Sequence, residues 1–287
     1  QVRPATRDSI STGDGIQDRA AVVIRFSGDS GDGMQLTGDQ FTNTSAVLGN
    51  DVSTFPDFPA EIRAPAGTIP GLSGFQVNFS SRDLFTSGDA PHVLVAMNPA
   101  ALVANLADLE PGGIIIVNKD AFTRNNLRKA GCEENPLDGN DLKGYRVLEA
   151  PLTSLTRAAL GDLDELSTQQ KDLCKNAFAL GLVYWMFDRP LDTSLSFYSD
   201  KFSGRPQVVE ANTRALKAGY YYGETAEAFQ SRVRVPSRTE VEPGTYRRIT
   251  GNDAIVMGLV TAAQKAGKPL FYGSYPITPA TPILEGL

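Results

Sequence analysis

The 287 residues predict an α/β protein with a mainly parallel sheet flanked by helices, and three stretches carry that reading. Val22-Val-Ile-Arg-Phe-Ser-Gly-Asp-Ser-Gly-Asp-Gly33, followed by apolar residues at helical spacing from Met34 to Leu48, reads as strand, glycine turn and helix. His92 to Asn118 reads as strand, helix, strand, a crossover that makes its two strands parallel with a right-handed connection. Thr168 to Phe187 is strongly helical and apolar nearly all round in its second half, which marks a helix buried on several sides.

In chain order, residues 1–20 are polar and without period, and predict a mobile arm. An α/β domain is expected over 21–230, a linker over 231–250 and the start of a second α/β domain over 251–287. The glycine loop has the spacing G-x-x-G-x-G. It is not the G-x-G-x-x-G of dinucleotide folds, and it lacks the Lys-Ser/Thr pair of a P-loop. Asp29 and Asp32 repel a pyrophosphate but suit N-capping of the next helix. Three readings therefore stand for Ser27, Gly28, Asp29, Ser30, Gly31, Asp32 and Gly33: a capped turn that packs the sheet, a phosphate loop, or a loop facing a partner's active site.

Asp51 to Gly74 carries prolines at 56, 59 and 65, which predict an extended, rigid loop. Glu61 and Arg63 share one side of it, either as a solvated ion pair or as a site-facing pair. Gly74 to Phe79 alternates as a strand does. His92 opens the next strand at the edge opposite the glycine loop, so a structural role is expected of it. Ala100 to Leu109 is a helix with Leu102, Val103, Leu106 and Leu109 on one side. Gly113 to Asn118 is a buried strand. Phe122 to Ala130 is helical, Tyr145 to Glu149 a strand and Leu152 to Leu160 a short helix.

Ser167 or Thr168 caps the long helix, whose apolar half is either deep core or subunit interface. Ser194 to Lys201 and Val208 to Tyr222 continue helical, the latter with a small-residue face at Ala211, Ala215, Ala218 and Gly219. Past the Pro- and Arg-rich linker, Gly251 to Lys265 is a helix and Pro269 to Tyr272 a strand. Then Tyr275-Pro-Ile-Thr-Pro279 turns into a helix from Ile283. Residues 251–287 are too few for a core of their own, so a longer polypeptide is expected.

Composition narrows function. Hydrophobic residues make up 41% and charged residues 21%, an ordinary soluble balance. A net charge of −6 argues against nucleic acid and anionic membrane as partners. No apolar run approaches the ~20 residues of a bilayer span, and a cytoplasmic location is expected. With one His and two cysteines, Cys132 and Cys174, this stretch lacks the donors for a zinc or iron–sulfur centre. Any redox metal must sit on another chain.

Tyr275-Pro-Ile-Thr-Pro279, after the helix opening Gly251-Asn-Asp-Ala-Ile255, resembles the 2-oxoacid:ferredoxin oxidoreductase family. There the motif opens the pyrimidine-binding domain of the α subunit. Upstream, Phe26-Ser-Gly-Asp-Ser-Gly-Asp-Gly33, Phe58-Pro-Ala-Glu-Ile-Arg63, Gly71-Leu-Ser-Gly-Phe75, Lys175-Asn-Ala-Phe-Ala-Leu-Gly-Leu182 and Glu210-Ala-Asn212 are similar to the γ domain that many α subunits carry at the N-terminus. The acidic form of the glycine loop is similar to that of the 2-oxoglutarate-type enzymes.

The resemblance implies CoA-dependent oxidative decarboxylation of a 2-oxoacid to acyl-CoA, CO₂ and reduced ferredoxin. It implies thiamine diphosphate and Mg²⁺ shared with a β subunit, which also carries a [4Fe–4S] cluster, in an (αβ)₂ assembly. It implies that Thr278, within Tyr275, Pro276, Ile277, Thr278 and Pro279, contacts substrate near the thiamine ring. A Thr that only caps the next helix is the plainer reading. No metal ligand is implied on this stretch. The family's activating glutamate and substrate-gripping arginine are expected beyond Leu287. A non-redox CoA- or nucleotide-binding module is the competing function.

Overall fold

The computed structural model describes residues 10–11, 16–58, 71–226, 232–239, 241–242, 244–275, 277 and 279–287. The chain divides into two compact units, Gln1–Glu240 and Val241–Leu287. The first unit runs β1 (Ile10–Ser11), β2 (Ile16–Asp18), β3 (Ala21–Asp29), α1 (Met34–Val47), β4 (Asp51–Asp57), β5 (Leu72–Ser80), β6 (Val93–Ala96) and α2 (Pro99–Asn105). It continues with β7 (Ile114–Asn118), α3 (Arg124–Lys129), β8 (Arg146–Ala150), α4 (Leu152–Ala159), α5 (Thr168–Leu173), α6 (Lys175–Met186), α7 (Asp192–Lys201), α8 (Pro206–Thr225) and β9 (Arg232–Arg234). The second unit holds α9 (Gly251–Ala266) and α10 (Thr281–Gly286).

Six strands form the main sheet in the order β4-β5-β3-β6-β7-β8. β3, β6, β7 and β8 are parallel, β5 joins β3 antiparallel, and β4 pairs antiparallel with β5 at the edge. Strand alternation sends side chains to both faces, and both faces are covered. Val22, Ile24, Phe26, Val93, Val95, Ile114 and Ile116 meet residues of α1, α6 and α8. Leu94, Ala96, Ile115 and Val117 meet Ala101 and Leu102 of α2 together with Leu109. Phe26, Phe41 and Phe79 are fully buried in the first layer, and each contributes roughly 1.5–3 kcal/mol of burial. The polar alternate residues of β5 are buried too. Gln76 donates to the carbonyls of Ser87 and Gly88, and Asn78 to that of Thr86, so the segment after β5 caps them.

Six expectations change. The proline-rich segment begins as β4, an edge strand, where Pro56 is tolerated because its missing N–H faces away from β5; residues 59–70, with Glu61 and Arg63, lie outside the described residues. The single helix over 168–187 is two. The Cys174 N–H bonds the Lys171 carbonyl three residues back, a tight closure that ends α5 before α6 begins. Ser167 caps α5 through a reciprocal capping box with Gln170. Val103, expected on one side with Leu102, is exposed, because successive residues of a helix point about 100° apart and Leu102 takes the inward direction.

The polar arm and the linker also differ from expectation. β2 pairs in parallel with β9, and Val233 and Val235 are buried. Backbone pairing holds them, which hydrophobic period does not reveal. Finally, Pro269 to Tyr272 form no strand. Among the described residues of their unit, no second strand supplies the ladder a strand requires.

The apolar half of the long helix is core. Every residue from Asn176 to Met186 is buried. Two glycines let α6 and α8 touch backbone to backbone. A Cβ at Gly181 would lie 2.0 Å from the Leu216 carbonyl oxygen, and one at Gly219 would lie 1.9 Å from that of Phe178.

Candidate functional site

The parallel strands β3, β6 and β7 place the glycine loop, Met97-Asn98 and the end of β7 on one carboxyl rim, where open α/β sheets bind ligands. Ser27 and Gly28 are still strand, and both are buried. Ser27 Oγ accepts from Asn105 Nδ2 at 3.1 Å. The exposed part of the loop is Asp29, Ser30 and Gly31. Space around Gly31 is open, with no heavy atom within 4 Å of a built Cβ.

The two aspartates do not cap α1. Gly33 occupies the N-cap position with φ 72°, and no side chain caps the helix. A Cβ at Gly33 would sit 2.3 Å from Asn176 Nδ2 and would have to displace that amide tip, while the positive φ by itself calls for glycine. Asp32 turns back instead. Its Oδ2 accepts from the Asp29 N–H at 3.0 Å, and its Oδ1 pairs with Lys175 Nζ at 2.7 Å. Both partners are mostly buried, with side chains 13% and 18% exposed. Asn98 ties the other side. Its Nδ2 donates to Asp29 Oδ1 at 2.8 Å, while its Oδ1 caps α2 at Ala101. Desolvation first, and then the neighbouring Asp32 charge, push the Asp29 carboxyl above its usual range.

The rim is thus a rigid acidic loop carrying one buried cation, with uncapped α1 N–H groups beside it. Asp29 and Asp32 are balanced by Lys175 and, at longer range, Lys129, so the side chains offer a phosphate no net positive charge, and only backbone N–H groups suit one. Sequence reasoning did not assign Lys175, Asn98 or Asn176 to this loop. The legible signal was a Lys-Asn pair at the head of an otherwise apolar helix, since a charge there must find a partner.

His92 keeps the structural role expected of it. Its Nδ1 accepts from the Val23 N–H at 3.0 Å.

In the second unit, Thr250 and Asp253 form a capping box at the start of α9, and Gly267 ends that helix in the left-handed region. The Ile277 carbonyl accepts from the N–H groups of Ala280 and Thr281, which ties the end of the motif to the start of α10. Asn252 Nδ2 donates to the Pro279 carbonyl at 2.8 Å and fastens that end to the head of α9. Tyr275 is 75% exposed. Pro276 and Thr278 lie outside the described residues, as does Arg63.

A family model described as pyruvate ferredoxin/flavodoxin oxidoreductase matches residues 23–222, from the second valine of β3 to the last turns of α8. The chain belongs to this family. Within the pyruvate ferredoxin/flavodoxin oxidoreductase family it is 53% identical over 268 residues to the 2-oxoglutarate oxidoreductase subunit KorA of Mycobacterium tuberculosis. That match covers 93% of this chain and 40% of the relative, so the chain spans well under half the relative's length. A solved structure of the 2-oxoglutarate:ferredoxin oxidoreductase from Magnetococcus marinus, with 2-oxoglutarate, coenzyme A and succinyl-CoA bound, is similar at a TM-score of 0.71 and 25% identity. It covers 93% of this chain and 41% of that one. The glycine loop and the Lys175-Asn176 pair meet here, through the Asp32–Lys175 ion pair and the close approach of Gly33 to Asn176, although 143 positions separate Asp32 from Lys175 in sequence. No described helix is long and apolar enough to cross a membrane.

Proposed function

We propose that this chain is part of the α subunit, with a fused γ domain, of a 2-oxoglutarate:ferredoxin oxidoreductase. Such an enzyme converts the 2-oxoacid and CoA to acyl-CoA and CO₂ and passes electrons to ferredoxin. The observation that carries the substrate choice is the 53% identity to the 2-oxoglutarate oxidoreductase subunit, maintained over 93% of the chain.

Thiamine diphosphate and Mg²⁺ would be shared with a β subunit in an (αβ)₂ complex. When bound, the thiamine cofactor supplies the electron sink that decarboxylation requires. The described part of the Tyr275–Pro279 motif fits a facing cofactor. It is stiffened by Asn252 and leaves Tyr275 open on its surface. Thr278 is assigned the substrate-facing hydroxyl, since prolines at 276 and 279 stand on both sides of it in sequence and restrict the chain.

An iron–sulfur cluster does not fit this stretch. Among the described residues no group of three or more His, Cys, Asp or Glu side chains gathers. Burial also pushes the Cys174 thiol up to about 11, whereas cluster ligation needs thiolate. The [4Fe–4S] cluster is accordingly assigned to the β subunit. The exposed rim Asp29–Gly31 is assigned to face CoA or that subunit.

The test is viologen reduction by the assembled enzyme, with 2-oxoglutarate plus CoA against pyruvate plus CoA. We expect kcat/KM to favour 2-oxoglutarate roughly tenfold or more. Equal or greater use of pyruvate sinks the substrate choice, and a colourless complex without viologen reduction sinks the class.

A further inference from the structure

The amino edge of the main sheet, opposite the glycine loop, carries a second cluster. Arg19 leads into β3, His92 leads into β6, and Arg146 opens β8. The three line a cavity of about 20 Å³ together with the buried side chains Val22, Ile114 and Phe187. The bottom of the cavity is therefore apolar and its mouth is basic.

His92 is not one of the cations. Its Nδ1 accepts from the Val23 N–H, so the neutral ring carries its proton on Nε2, which lies 3.3 Å from the Glu110 carboxylate. Burial first, and the nearby Arg19 charge as well, hold its pKa below the usual value. Glu110 is thereby engaged, and Asp18, the carboxylate beside Arg19 in sequence, is engaged by Arg234 at 2.9 Å. That leaves Arg19 and Arg146. No carboxylate among the described residues bonds either guanidinium. They are close enough for Arg19 to depress the Arg146 pKa, after burial. Arg146 is exposed and Arg19 half-buried, so water screens part of the repulsion between them, and an anion bound between them would remove the rest.

We propose that Arg19 and Arg146 form a site for a single carboxylate group, its two oxygens shared between the guanidinium forks and its short apolar stem directed at Val22, Ile114 and Phe187. The size of the cavity sets the class. It admits a group of about one water's volume, which excludes a nucleotide or a phosphate ester from its interior. Planar forks favour a carboxylate over a spherical ion. This site stands independently of the reaction assigned above, since it shares no residue with the carboxyl rim.

The experiment is thermal unfolding of the full-length enzyme, assembled with its partner chains, in sodium acetate against sodium chloride at matched ionic strength. Wild type is compared with R19Q and R146Q, and R146K is the charge-keeping control. A free carboxylate predicts that acetate raises Tm by about 2–4 °C beyond chloride. R19Q and R146Q abolish the increment and R146K retains part of it. If acetate has no effect but R19Q and R146Q each weaken chain association tenfold or more, the bound carboxylate is an acidic side chain of a neighbouring chain, and the site stands. An acetate increment that survives both glutamine substitutions overturns the site. So does an absence of change in both acetate response and association.

Discussion

Asp29 ends β3 with its carboxylate partly withdrawn from water and beside Asp32, and both effects favour the protonated form. The sign follows from linkage. The folded pKa lies above the unfolded one, so this group's contribution to stability is fully present at pH below the unfolded value. It is lost as pH rises through the folded one. Asp29→Asn keeps an oxygen for Asn98 and removes the charge. It is expected to equal or exceed the wild type in stability at pH 7, with the difference closing in acid, as urea titrations at several pH values would show. Lys175 carries the opposite expectation. Lys175→Met leaves Asp32 without its cation and should cost about 2–3 kcal/mol, somewhat below the ~3–5 of a fully buried pair. Glycines 31 and 33 separate structure from function in one loop. Gly33→Ala forces φ 72° on an L residue against Asn176 and should cost about 1–2 kcal/mol. Gly31→Ala meets nothing and should leave the denaturation midpoint unmoved. A raised KM for CoA in that variant would place the exposed rim against the coenzyme, and an unchanged KM would reduce it to scaffold.

α6 and α8 show what a small residue does for an element. Their closest approach passes Gly181 and Gly219, where a methyl group would collide with backbone carbonyls rather than with movable side chains. Gly219→Ala should therefore cost about 3 kcal/mol or more, because neither helix can yield without shifting its partner. The small-residue face of α8 was legible in sequence, but Gly181 as its counterpart was not. Nothing in a helical period tells which glycine will face which carbonyl. The three-stranded sheet behaves in the same way. β2 has no hydrophobic alternation to announce it, yet it covers Val233 through pairing with β9, and Asp18 pairs with Arg234. Removing residues 1–19 should lower Tm by about 4–8 °C, the effect of losing roughly 2 kcal/mol in a domain of this size. A truncated chain that melts with the intact one would return the segment to a mere arm.

Across the whole molecule, the chain divides into two compact units, the second of which is small and mostly exposed among its described residues. Arg247 and Arg248 are exposed in the second unit, just ahead of α9. Brief trypsin treatment of the isolated chain should cut there first and release a stable fragment carrying the main sheet. Early cuts inside β3 to α8 would contradict that division. Second-unit residues such as Ile255, Met257, Phe271 and Tyr275 are exposed here. In a relative of which this chain spans 40%, further chain is available to cover them.

The parallel sheet, its crossover and the carboxyl rim could be read from the residues alone. Runs such as Ile114 to Val117 are buried on both faces, and burial of that kind leaves a continuous apolar signature. The Tyr275–Pro279 motif and the glycine loop were equally plain, because glycine and proline constrain the chain locally. What holds the rim together could not be read in that way. The Lys175–Asp32 pair, the Asn98–Asp29 bond and the Asn176–Gly33 contact each join positions far apart in sequence, and their partners are chosen by folding. The same holds for Arg19 and Arg146, which strand order brings to one cavity mouth. Local rules fix which segments are strands and helices, but the pairing of buried charges depends on the distances that only the packed sheet and helices impose.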